Sequence, residues 1–81
     1  MIMIVDYEND KIIGKDIPDF KTAWEIGINY FMKICDMPEM ERDGFVMEGH
    51  SLIHVDGEYE GFSLVFFGSD GVYGNEWPEE L

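Results

Sequence analysis

The sequence predicts an α+β domain: a single helix packed on one face of a small antiparallel sheet, in the order β-β-α-β-β-β. Three observations lead there. Apolar residues recur at helical spacing over more than two turns in one stretch only, Asp16 to Asp36. Short apolar segments of strand character lie on both sides of it. Glycine-bearing turns separate the segments that follow residue 44.

The first elements are Ile2 to Tyr7 and Lys11 to Gly14, separated by Glu8-Asn9-Asp10. A tight turn at Asn9-Asp10 would pair Glu8 with Lys11 and Tyr7 with Ile12, making a first hairpin. In the helix, Phe20, Ala23, Trp24, Gly27, Phe31 and Ile34 form an apolar stripe, widened by Ile28 and Cys35. Thr22, Glu25, Asn29, Lys33 and Asp36 fall on the wet side. Asp16 is the expected cap, with Asp19 three residues on and Pro18 in the first turn, where its missing N–H costs nothing. Pro38 is the expected stop, and Asp36 sits unfavourably at the negative end of the dipole.

Residues 36–44 read as an acidic loop, with room for one helical turn. Beyond it, a four-residue loop Gly57-Glu58-Tyr59-Glu60 would set Val55 opposite Phe62 and Ile53 opposite Leu64, an apolar face for the helix. A two-residue turn at Asp56-Gly57 would instead pair Val55 with Glu58, so the longer loop is preferred. Gly68-Ser69-Asp70-Gly71 leads to a last strand from Val72 toward Trp77, ended by Pro78. The second sheet face, with Leu52, His54, Ser63, Val65 and Phe67, is apolar enough to leave open a homodimer, a partner surface or cover by a folded-back tail carrying Trp77. The chain reads as one compact domain over 1–81, with a frayed tail at 78–81.

Twelve aromatics in 81 residues can close a small core. The one cysteine, Cys35, allows no disulfide framework, and the cytoplasm is the default compartment. The opening Met-Ile-Met-Ile-Val is too short for a signal-peptide core, and no apolar run reaches membrane-spanning length. The outlier is charge, with eighteen acids against five Lys and Arg, a net −13 and a pI near 4.1. Every Lys and Arg lies in residues 1–42; the rest of the chain holds nine acids and no base. Direct contact with nucleic acid or an anionic membrane is therefore disfavoured, and a basic protein partner is favoured.

No motif supports catalysis, and the expectation is a protein that is not an enzyme and takes no cofactor or metal. His50 and His54 on one strand would lie roughly 13 Å apart, too far for one ion. Glu39/Glu41/Asp43 and Asp56/Glu58/Glu60, each followed by glycine, open like a calcium loop, but the bidentate Glu required at the twelfth position is His50 or Phe67. Cys35, beside the helix C-terminus and Asp36, would have its thiolate disfavoured. What remains is the spacing of the acids. On an extended segment, alternate carboxylates sit about 6.6 Å apart on one side, a row suited to a channel that follows a phosphate backbone. The expected partner-binding residues are Glu39, Glu41, Asp43, Asp56, Glu58, Tyr59 and Glu60, with Tyr59 and Trp77 as exposed aromatic anchors.

No stretch carries a family motif. In small size, α+β pattern and acidity, however, the chain resembles phage-encoded inhibitors that mimic nucleic acid, such as uracil-DNA glycosylase inhibitors, antirestriction proteins and some anti-CRISPR proteins. That resemblance implies a small acidic inhibitor, phage or mobile-element encoded, that blocks the basic nucleic-acid-binding channel of a host protein. The alternative is an immunity-type or regulatory protein that neutralises a basic toxin or enzyme without mimicry.

Overall fold

The computed structural model describes residues 1–68 and the short strand at 71–72. The expected strand toward Trp77 and the tail at 78–81 lie outside the described residues. The elements are β1 (Ile2–Asp6), β2 (Lys11–Ile17), α1 (Phe20–Ile34), a 3-10 turn (Glu39–Gly44), β3 (Phe45–Glu48), β4 (Ser51–His54), a second 3-10 turn (Gly57–Tyr59), β5 (Leu64–Gly68) and β6 (Gly71–Val72). The class is α+β, with α1, the one α-helix among the described residues, on one face of an antiparallel sheet of order β2-β1-β5-β4-β3. Two-residue β6 pairs with β5 at Phe67 and Gly68.

The first hairpin turns differently from the expectation. Asp6 pairs with Lys11 and Val5 with Ile12, so the loop is the four residues 7–10. A side chain explains the change: the Asp6 carboxylate accepts both the Asn9 backbone N–H (3.1 Å) and its amide (2.8 Å), and Asp10 closes the loop at φ 59°. β2 then continues to Ile17 through two register shifts, with Asp16 left-handed at φ 56°. Asp16 therefore belongs to a bulged strand and caps nothing. Asp19 is the N-cap, accepting the Thr22 N–H at 2.8 Å, and Pro18 lies one residue outside the helix.

At the other end the chain itself, not Pro38, stops the helix. Asp36 is left-handed at φ 52°; its N–H bonds the Lys33 carbonyl, and the Met37 N–H bonds that of Met32. This pair of bonds is the Schellman closure, and Met37 is buried in the same core as Met32. The covered face of the helix is accordingly turned toward Met32, which is buried, while Ile34 is 45% exposed. Phe20, Ala23, Gly27, Ile28 and Phe31 are buried as their spacing predicts, and Trp24 and Cys35 are half-buried.

After the helix, Gly49 and His50 join β3 to β4 in a two-residue hairpin, with Gly49 at φ 64°, so that the run from Phe45 to His54 is two strands. Leu52, not Ile53, faces Leu64. This one-residue slip reverses the face of every β4 side chain. Leu52 and His54 point toward the helix with Leu64 and Phe66, while Ile53 joins Val65 and Phe67 on the other face. Phe62 does not pair with Val55 but packs edge-on against Phe31, ring centroids 4.8 Å apart. Gly27 permits the close helix–sheet approach: a Cβ there would lie 3.0 Å from Phe66 Cζ and 3.1 Å from Leu52 Cδ2.

Candidate functional site

Three connections meet at one end of the sheet. β1 and β4 finish there, β3 and β5 begin there, and the helix ends above it. The 7–10 loop, the 35–44 connection and the 55–63 connection together hold nine of the eighteen acids and a single base, Arg42. Arg42 is itself engaged by the Glu39 carboxylate, which raises the guanidinium pKa. The end is thus strongly negative.

His54 builds most of it. It is 5% exposed, at the last position of β4. Its Nδ1 accepts the Asp56 N–H at 3.0 Å, which leaves Nε2–H to donate to the Glu41 carbonyl at 2.8 Å. The Glu41 carboxylate lies 3.7 Å from the same nitrogen. The ring stands edge-on to Phe45 (4.8 Å) and Tyr59 (5.3 Å). Gly44 is required by this contact, since a Cβ there would come within 2.5 Å of Nε2. The Val55 N–H donating to the Gly44 carbonyl (2.9 Å) closes the junction. One imidazole thereby ties the 39–44 turn to the 55–60 turn.

Glu39, Glu41, Asp43, Asp56, Glu58, Tyr59 and Glu60 are thus gathered at one end, but not as two straight rows. Residues 39–44 and 57–59 are wound as 3-10 turns, three residues to the turn, so alternate side chains diverge instead of lining up at 6.6 Å. Several of the seven also have local duties. Glu39 binds Arg42, Asp56 accepts the Glu58 N–H at 3.0 Å, and Glu41 is half-buried beside His54. Asp43, Glu58 and Glu60 are exposed, without an ion pair among the described residues. Tyr59 is half-buried against His54, not an exposed anchor; burial raises its hydroxyl pKa, and so do the charges of Glu58, Glu41 and Asp56. Trp77 lies outside the described residues.

A second buried polar group sits at the same end. The Asp6 carboxylate, fully buried, accepts the Tyr30 hydroxyl at 2.6 Å besides its two bonds from Asn9. Burial alone would raise its pKa, but the hydrogen bonds from Tyr30 and Asn9 outweigh that and hold it below the ordinary value. The same bond pushes Tyr30 up to about 12. Burial, then the Asp6 charge, raises the Cys35 thiol; the expected neighbour Asp36 is not the cause. His50 is in the β3–β4 turn and His54 is buried. Among the described residues no three His, Cys, Asp or Glu converge as metal ligands, and no helix is long and apolar enough to cross a membrane.

Neither Asp6 nor His54 stands out among the expected site residues. The usable signal for His54 was its alternation with Leu52: whichever face takes one takes both. No known family model matches the chain, and no curated protein or solved structure was found similar to it.

Proposed function

We propose that the protein is a small inhibitor whose acidic end occupies the basic nucleic-acid-binding channel of another protein. The observation that supports this is the gathering of half the chain's acids in three connections at one end of the sheet, with the only base among them already paired to Glu39. Concentrated charge of one sign steers a partner of opposite sign and speeds encounter at low salt. On this reading the protein works in the cytoplasm, is encoded by a phage or mobile element, performs no catalysis and takes no cofactor.

The test is capture of the partner from a host lysate at low salt, followed by competition. Nucleic acid should displace the protein. Replacing Asp43, Glu58 and Glu60 with Asn or Gln should weaken binding and flatten its salt dependence without unfolding the domain, whereas Asp19→Ala should act on the helix start and leave binding alone. A partner that holds this protein and nucleic acid at once sinks the mimic reading.

One observation favours a second reading. The 3-10 winding of both acidic segments removes the even spacing that a phosphate-like row requires. An immunity-type protein that covers a basic patch needs charge but no such period. Its complex would resist displacement by nucleic acid.

A further inference from the structure

The two outer strands of the sheet differ in a way that bears on recognition. β2 is broken by two register shifts and a left-handed Asp16, and it carries Lys11 and Lys15, the devices that keep an edge from pairing. β3 has none of these. It pairs with β4 at four successive positions in unbroken register, contains no Pro or Lys, and has no neighbour on its outer side among the described residues.

The free groups on that edge follow from the hairpin. In a two-residue hairpin the closing pair, Glu48 and Ser51, exchanges hydrogen bonds, and bonded pairs recur at every second position. Val46–Ile53 is the next rung. Gly44–Val55 is the one after, and the Val55 N–H on the Gly44 carbonyl at 2.9 Å is that rung. The N–H and C=O groups of Phe45 and Met47 therefore point away from β4, outward. Val46 and Glu48 stand on the sheet face remote from the helix, both exposed. The strand starts directly after Glu39, Glu41 and Asp43, and ends on Glu48.

We infer that the outer edge of β3 accepts an extended segment of a partner protein that carries Lys or Arg at alternate positions. Main-chain bonds to Phe45 and Met47 would add it to the sheet as a strand, and the acids at both ends of β3 would select its charge. A second copy of this chain is the weaker occupant, because pairing two β3 edges brings Glu48 and the acidic turns of two molecules of net charge −13 together. The inference stands whether or not the partner also binds nucleic acid.

The experiment uses a synthetic octapeptide alternating Lys and Val, and a control of the same sequence in which every backbone N–H is methylated, which removes the donors and blocks close strand pairing. Backbone amide exchange is followed by NMR on the whole chain. The Phe45 and Met47 amides should exchange freely in the protein alone and slow by about tenfold or more with the Lys/Val peptide, while Val46, already bonded to β4, changes little. Met47→Pro removes one outward donor and no rung, and should weaken binding of the same peptide by about tenfold; if it fails to fold, the exchange result decides alone. Equal binding of the N-methylated peptide, or slowing confined to residues other than Phe45 and Met47, overturns the inference. So does protection of these amides without peptide: if it depends on concentration the edge belongs to a second copy, and if not, to the chain's own residues 73–81.

Discussion

Asp6 and His54 lie at the same end of the sheet, both buried, both holding connections in place, but they serve different purposes. Asp6 is a carboxylate whose oxygens are consumed inside the fold by Asn9 and Tyr30, fastening the first hairpin to the helix. His54 consumes backbone groups of the two acidic turns, the Glu41 carbonyl and the Asp56 N–H, and leaves Asp43, Glu58 and Glu60 on the surface. Asp6 shares this end with the nine acids of the three connections, yet their chemistry divides: Asp6 is structural because its oxygens are satisfied within, while Asp43, Glu58 and Glu60 are displayed because the His54 ring does the tying. Net charge therefore does not separate the acids used inside the fold from those displayed on its surface; hydrogen-bond accounting does.

The largest expected effect comes from removing the interior carboxylate. Asp6→Ala orphans the Tyr30 hydroxyl and two Asn9 donors and should cost about 3 kcal/mol or more in urea denaturation. Tyr30→Phe deletes one charge-assisted bond and should cost about 1.5–3 kcal/mol. Neither should alter partner binding once the protein is folded. If Asp6→Ala leaves the denaturation midpoint unmoved, the comparison fails at its first limb.

At the other buried group, His54→Phe retains the ring but orphans a carbonyl and an N–H, costing about 1–3 kcal/mol, and it should also weaken partner binding because both acidic turns lose their tie. Gly44→Ala tests the same junction sterically, with a comparable expected loss from pressing on the imidazole. Full retention of binding in a folded His54→Phe variant would separate the turns from recognition.

The pH dependence sharpens the contrast. Asp6 has a folded pKa below its unfolded value, so its contribution is present above the unfolded pKa, near 3.8, and is lost as pH falls through the lower folded one. Tyr30 has its folded pKa raised from 10.0 to about 12, so its contribution is complete below pH 10 and is lost as pH rises toward 12. Thermal melts should show loss on both flanks. Tyr30→Phe should shrink the alkaline one, to which Tyr59 and Cys35, both with raised pKa values, still contribute, and an unchanged alkaline flank in that variant would contradict the assignment.

The smallest effect is a gain. Asp36 is a left-handed residue at the negative end of the helix, so Asp36→Gly should stabilise by about 0.5–1 kcal/mol, read as a rise in melting temperature. A fall would mean that the carboxylate has a partner worth more than the backbone strain.

The sequence by itself determined the class, the helix, most of its buried face and the charge. These are local or additive properties: the 3.6-residue period from Phe20 to Phe31 and the sum of ionised side chains need no knowledge of distant contacts. Nor was tertiary structure needed to pick out 39–43 and 56–60 as acidic segments. Register was another matter. Whether Ile53 or Leu52 faces Leu64 depends on one residue of slip, and the apolar run on β4 is consistent with either; burying Leu52 against Gly27, with Phe62 drawn away to Phe31, decided it. The same holds for the caps. Asp16 and Asp19 are equally good capping residues, and the choice fell to Asp19 because β1 recruits the chain as far as Ile17 into the sheet. Only the closed fold places His54 between two acidic turns distant in sequence from each other, since hydrogen bonds from a buried ring exist only after the strands that bury it have paired.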